Sequence, residues 1–304
     1  LGWHHPDIQQ MLRQILPIIL GVAVNQIYFA INRIFASGLA EGTISVLNYA
    51  NKLMMLPLGI FVAAVVSAIY PSLSELALKK NMSQLAVTLK KGLGMICLVA
   101  IPAAVGLCVL AEPIIQLLFE RGAFTHADTL ATAWALICFC VGLVPMAANM
   151  VLTRTYYVVG DVKMPVKIGA YSIIANVILS LILFRPLSYG GGGLALANSL
   201  AALVGTLWMY FYLKRHQLPE LKEGNFMVSL IKMAIAAFIM GIAVYGAKWL
   251  LLQLGISSAT THGCFLVVVG GALVGILVYV IAIFALRVEE TKLFLDVLKK
   301  KLRK

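Results

Sequence analysis

With 62% of its 304 residues hydrophobic, 12% charged and a mean hydropathy of +0.96, this chain lies far outside the composition of soluble globular domains. A net charge of +12 would suggest nucleic acid in a soluble protein. In so apolar a chain it instead raises the question of where the cations fall relative to a bilayer.

About 20 apolar residues cross a bilayer. Windows of that kind predict eight membrane spans, at 14–37, 44–70, 92–111, 128–152, 165–184, 193–213, 227–252 and 263–286. Lipid cannot satisfy free backbone N–H and C=O groups, and the runs are too long and unbroken for alternating barrel strands. The predicted fold class is therefore an all-α polytopic membrane bundle.

The chain opens on LGWHHPDIQQMLRQ, an amphipathic lead-in with neither a starting methionine nor a signal peptide, which reads as mid-protein. In the first span Asn25 and Asn32 share a side, as do Gln26 and Arg33. The second carries Asn48, Asn51 and Lys52. If it begins near Leu53, the Lys52 ammonium snorkels to the interface. If it begins near Thr43, Lys52 lies about 13 Å inside at ~1.5 Å per residue and faces a hydrated cavity. Asn48 and Asn51 on the same side tilt the choice toward the cavity.

The segment PSLSELALKKNMSQLAVTLKK, 71–91, predicts a helix lying on the inner surface. Further on, Asn149 and Thr153 in the fourth span, the Ser172, Asn176 and Ser180 stripe in the fifth, and Asn198 in the sixth place polar groups inside the membrane, where they face other helices or water. The run YGGGGLALANS lacks the Lys-Ser/Thr ending of a phosphate loop and predicts a tight turn with close helix packing. The polar stretch 214–225 separates six spans from a final pair. The division is 1–213 as a six-helix lobe, 214–226 as linker, 227–286 as terminal pair and 287–304 as basic tail.

Nineteen of the 24 basic residues fall in loops on one side and in the tail. The positive-inside rule makes that side and both termini cytoplasmic, with the tail held near anionic lipid headgroups. The five cysteines are odd in number, all lie in apolar segments and read as small core hydrophobes. No HExxH-like pattern predicts a metal centre. A hydrated internal cation attracts an anion, and phosphate suits the point charge of lysine. No carboxylate pair stands at membrane depth for acid and base work, so a transporter is favoured over an enzyme. A dry, non-transporting membrane scaffold, and a transporter of a different solute, are the competing readings.

The segments NYANKLMMLPLGIF, YPSLSELA, IPAAVGLCVLAEPIIQLLFERGAFT and GDVKMPVKI, in that order, resemble successive signatures of the MurJ (MviN) family, bacterial lipid II flippases of the multidrug/oligosaccharidyl-lipid/polysaccharide exporter superfamily. The resemblance implies helices seven to fourteen of a fourteen-helix protein, with an N-terminal six-helix lobe beyond this sequence as partner. It implies alternating access in the bacterial cytoplasmic membrane around a cationic cavity that holds the diphosphate of lipid II, with the lipid tail in a groove of the terminal pair. It places Lys52 where the family has an essential arginine, and so in the cavity with Asn48, Asn51 and Arg33. A sodium site found in some members maps onto Asn32, Asn176, Ser180 and Asn198. Both of its carboxylates are replaced here, and neutral oxygens hold a hard cation weakly. No cofactor is expected, and membrane potential acting on the cavity cation is the simpler drive.

Overall fold

The computed structural model describes residues 30, 33–184, 189–218, 221, 226–253, 261–288 and 290–291. The described elements are helical throughout, as the hydropathy demands. They are α1 (Thr43–Pro57), a π-helical segment (Leu58–Val62), α2 (Ala63–Leu78), α3 (Met82–Val109), α4 (Ala111–Phe119), α5 (His126–Cys140), α6 (Leu143–Val158), α7 (Lys163–Leu183), a 3-10 turn (Tyr189–Gly191), α8 (Gly192–His216), α9 (Phe226–Gln253) and α10 (Thr261–Ala285). Among the described residues six helical runs are long and apolar enough to cross a membrane, or seven when the bent pair α5 and α6 counts as one span. The first predicted span lies outside the described residues except for its end, where 33–37 are helical.

The segment 71–91 departs from its predicted form. It is no separate surface helix: α2 runs on through Pro71 to Leu78, the chain turns at Lys79 and Lys80, and α3 starts at Met82 with the Asn81 side chain accepting from Gln84 N–H. Its apolar residues Leu73, Leu85, Ala86 and Leu89 are buried between helices instead of facing lipid. Helical spacing reveals an apolar stripe but does not say whether lipid or protein covers it.

The predicted span 128–152 breaks at Val141–Gly142, where α5 and α6 meet at 45°. α8 supports the break from the side. Ser199 Oγ donates to the carbonyls of Cys138 (2.8 Å) and Phe139 (3.2 Å), Thr206 Oγ1 donates to Pro145 O (3.0 Å), and Tyr156 OH of α6 donates to Met209 O (2.9 Å). Cys138 O lies in the last turn of α5, where a helix leaves carbonyls without an intrahelical donor, and Ser199 supplies the donor that hydrocarbon could not; Phe139 O accepts from Gly142 N–H (2.9 Å) as well. The glycine run forms the turn predicted for it, with Gly191 at φ +68 entering α8.

The terminal pair packs on α3. Tyr279 OH donates to Leu98 O (2.9 Å), and at the other end Lys248 Nζ meets Glu112 Oε2 of α4 at 3.2 Å. Of the basic tail, Val288, Glu290 and Thr291 are buried, with Glu290 lying over Gly94. Arg287 is exposed, and the remainder of the tail lies outside the described residues.

Between α4 and α5, Glu120 Oε2 accepts a hydrogen bond from the fully buried Thr129 (2.6 Å) and lies 3.2 Å from His126 Nδ1. Partial burial works against the charged carboxylate, but the hydrogen bonds from Thr129 and His126 together outweigh it and hold Glu120 below the usual carboxylate range. A carboxyl depressed by folding adds stability that is complete above its unfolded value of about 4.3 and is lost as pH falls through the folded value. Glu120→Gln is therefore expected to lower the thermal midpoint at pH 6 to 7, with the gap to the wild type closing below about pH 4. Melting curves across that range check it.

Candidate functional site

α1, α6, α7 and α8 enclose an open cavity of about 1010 Å³. α1 offers Ile44, Leu47, Asn48, Asn51 and Met55, which recur at helical spacing on one face, and the π segment adds Leu58 and Gly59. Asn149 and Thr153 come from α6, Ser172 and Asn176 from α7, and Asn198 and Thr206 from α8. Apolar side chains such as Met146, Met150, Ile173 and Leu194 fill the wall between them. The result is a mostly apolar chamber crossed by a band of carboxamides and hydroxyls, with Arg33 as the cationic lining residue among those described.

Part of that band is held in place. Thr153 Oγ1 donates to Asn149 Oδ1 (3.2 Å), Asn149 Nδ2 points at Met209 Sδ (3.3 Å), and Ser172 Oγ donates to Ile168 O (2.9 Å). Asn51 is half-buried and Asn48 exposed. Such a surface suits a polar or anionic headgroup whose remainder is apolar, because neutral amides can both donate and accept while the guanidinium supplies the charge.

The sequence-predicted residues divide accordingly. Asn48, Asn51, Arg33, Asn176 and Asn198 all line the cavity. Lys52 does not: it lies on the flank of α1, exposed, with Nζ 5.7 Å from the centre of the Tyr49 ring. The reason is helical phase. A side chain one position beyond Asn51 is turned about 100° from it, and the i,i+4 spacing from Asn48 brings Lys52 only to the rim of the stripe. Ser180 is fully buried, outside the cavity lining, and its hydroxyl has no partner among the described residues. Asn32 lies outside the described residues. Thr206 is a lining residue that sequence reading missed, although it follows the lining Asn198 by eight residues, about two turns along α8.

Comparison with known proteins places this arrangement. The family model described as lipid II flippase MurJ matches residues 1–264. A protein named probable lipid II flippase MurJ from Vibrio cholerae is 34% identical over 209 residues, covering 69% of this chain and 39% of the relative. One of the same name from Haemophilus influenzae is 32% identical over 250 residues, covering 80% of this chain and 48% of the relative. The chain thus spans about half the length of the curated relatives it matches, or somewhat less. A solved structure titled lipid II flippase MurJ, inward closed conformation, superposes with a TM-score of 0.71 at 28% identity, over 91% of this chain and 55% of that one. A MATE crystal structure matches at a TM-score of 0.53 and 16% identity, which speaks to the fold alone. A family match over most of the sequence, carried by a multi-pass helical bundle with the same architecture, makes this chain a member of the bacterial lipid II flippase MurJ family.

Proposed function

We propose that this chain forms the cavity-bearing half of a lipid II flippase, which moves the undecaprenyl-pyrophosphate-linked precursor from the inner to the outer leaflet and catalyses no chemical reaction. The observation that carries the reading is the mixed surface of the cavity: carboxamides, hydroxyls and Arg33 set in an apolar wall, on the fold of the family. A lipid-linked diphosphate sugar presents that same mixture of anion, hydroxyls and hydrocarbon.

In this reading the eight spans form a six-helix lobe and a terminal pair, both termini are cytoplasmic, and the lobe works against a second six-helix lobe by alternating access. Anionic lipids hold the basic inner surface. Asn176, Ser180 and Asn198 supply only neutral oxygens, so a sodium ion would be weakly held and membrane potential acting on cavity cations is the preferred drive. An assay of lipid II accessibility at the outer surface of spheroplasts tests the reading. Depleting the protein should remove the outward-exposed precursor and restoring it should bring it back. Unchanged lipid II exposure, with loss of a different lipid-linked oligosaccharide, would assign the cavity to that sister substrate.

A further inference from the structure

The π segment sits where the cavity-lining helix meets the helix that anchors it. Ala63 N–H donates to Leu58 O, an i to i+5 bond, so one more residue than an α-helix holds is accommodated in this turn. Two features of the sequence weaken the α-helix here. Pro57 has no N–H to give to the preceding turn, and Gly59 brings flexibility without packing, since a Cβ there would meet nothing within 4 Å. Leu58 and Gly59 both line the cavity, so the irregular turn borders the chamber itself.

We infer that this segment is a register switch: when the π turn relaxes to α, α1 turns about its axis and carries Lys52 into the cavity. The direction follows from geometry. With α2 fixed against α3 and α6, the extra residue leaves each position of α1 in the place that the next residue would hold in a continuous α-helix. Losing it turns α1 by roughly 100° and slides it by about 1.5 Å. The place now held by Asn51 passes to Lys52, that of Asn48 to Tyr49, that of Leu47 to Asn48, and that of Met55 to Leu56. The chamber gains an ammonium and keeps a carboxamide.

The packing face of α1 tolerates the exchange almost everywhere. Its buried places at Val46, Leu53 and Met54 pass to Leu47, Met54 and Met55, apolar for apolar, and at the helix start Ile44 takes the place of Thr43, whose hydroxyl gives up its bond to Ala40 O. At the fifth, Asn51 must replace the fully buried Ala50, and that polar intrusion favours the bulged register seen here. Tyr49 leaves its tilted ring contact with Phe119, whose ring centre is 4.5 Å away, and Ala50 takes its place. The inference rests on reading the cavity as the substrate chamber, but the register itself can be measured without substrate.

In the protein in its native membrane, with the five native cysteines replaced, the pairs Tyr49→Cys with Phe119→Cys and Ala50→Cys with Phe119→Cys report the two registers through a short bifunctional thiol reagent. Both pairs should link. Adding Asn51→Ala, which removes the polar intrusion, should shift linking severalfold toward position 50 in separately measured pairs. A pair at position 50 that never links while position 49 does, or a ratio indifferent to Asn51→Ala, would overturn the switch. A protein that changes register but does not expose lipid II would leave the switch standing and sink the substrate assignment.

Discussion

Gly142→Val is expected to unfold the middle of the bundle, with a drop in thermal midpoint larger than that of any single change in the cavity lining. A Cβ at position 142 would lie 2.8 Å from the Ser199 Cα and 2.8 Å from its Oγ. The first of these is backbone, so a rotamer change cannot relieve the overlap, and α8 would have to move off the α5–α6 break. That movement also withdraws the Ser199 hydroxyl from the carbonyls of Cys138 and Phe139. Overpacking costs about 1–3 kcal/mol, and a buried carbonyl left unpaired costs about 1–3 more. Ser199→Ala, which removes the donor without the overlap, should cost only the smaller share. Thermal unfolding of the purified protein in detergent, with the two variants compared, checks the pair. A Gly142→Val protein melting like the wild type would mean that the contact at the break is not tight.

What the sequence disclosed and what it withheld follow from which interactions hydropathy records. The all-helical, multi-span character was legible because a run such as Met227 to Leu252 interrupts its apolar character only at a few points and must satisfy its backbone internally. The break inside 128–152 was not, since Val141, Leu143 and Val144 remain apolar through it. The groups that stabilise it, Ser199 and Thr206, are about 60 residues away in the chain. Gly142 and Pro145 were the local hints, as Pro57 and Gly59 were for the π segment. Of the candidate site, the Asn48 and Asn51 face was readable from spacing, and Asn198 from its polarity within an apolar span. The fate of Lys52 was not, because one residue of phase separates the cavity from the flank, and a bulge of one residue downstream shifts that phase.

Loss of charge at Arg33 or Lys52 is expected to abolish function while leaving the fold intact. Arg33 lines the cavity. Under the proposed function and register switch, Lys52 enters it as well, and each would meet the diphosphate of the proposed substrate as a charge-assisted hydrogen-bond donor. Removing one such donor costs about 1.5–3 kcal/mol, a loss of roughly 10- to 150-fold in binding. Arg33→Gln and Lys52→Gln should each fail to rescue growth of cells depleted of their own lipid II flippase, and Lys52→Arg, which keeps the charge, should support it. Neither side chain holds the bundle together: both are exposed, and the contact that Lys52 makes is with the face of the Tyr49 ring. Membrane levels and melting temperatures of the Gln variants should therefore match the wild type, which separates a failure of transport from a failure to fold. Growth of the Lys52→Gln strain at the normal rate would remove Lys52 from the transport cycle and leave Arg33 and the carboxamide band as the contact that this half makes with the proposed substrate.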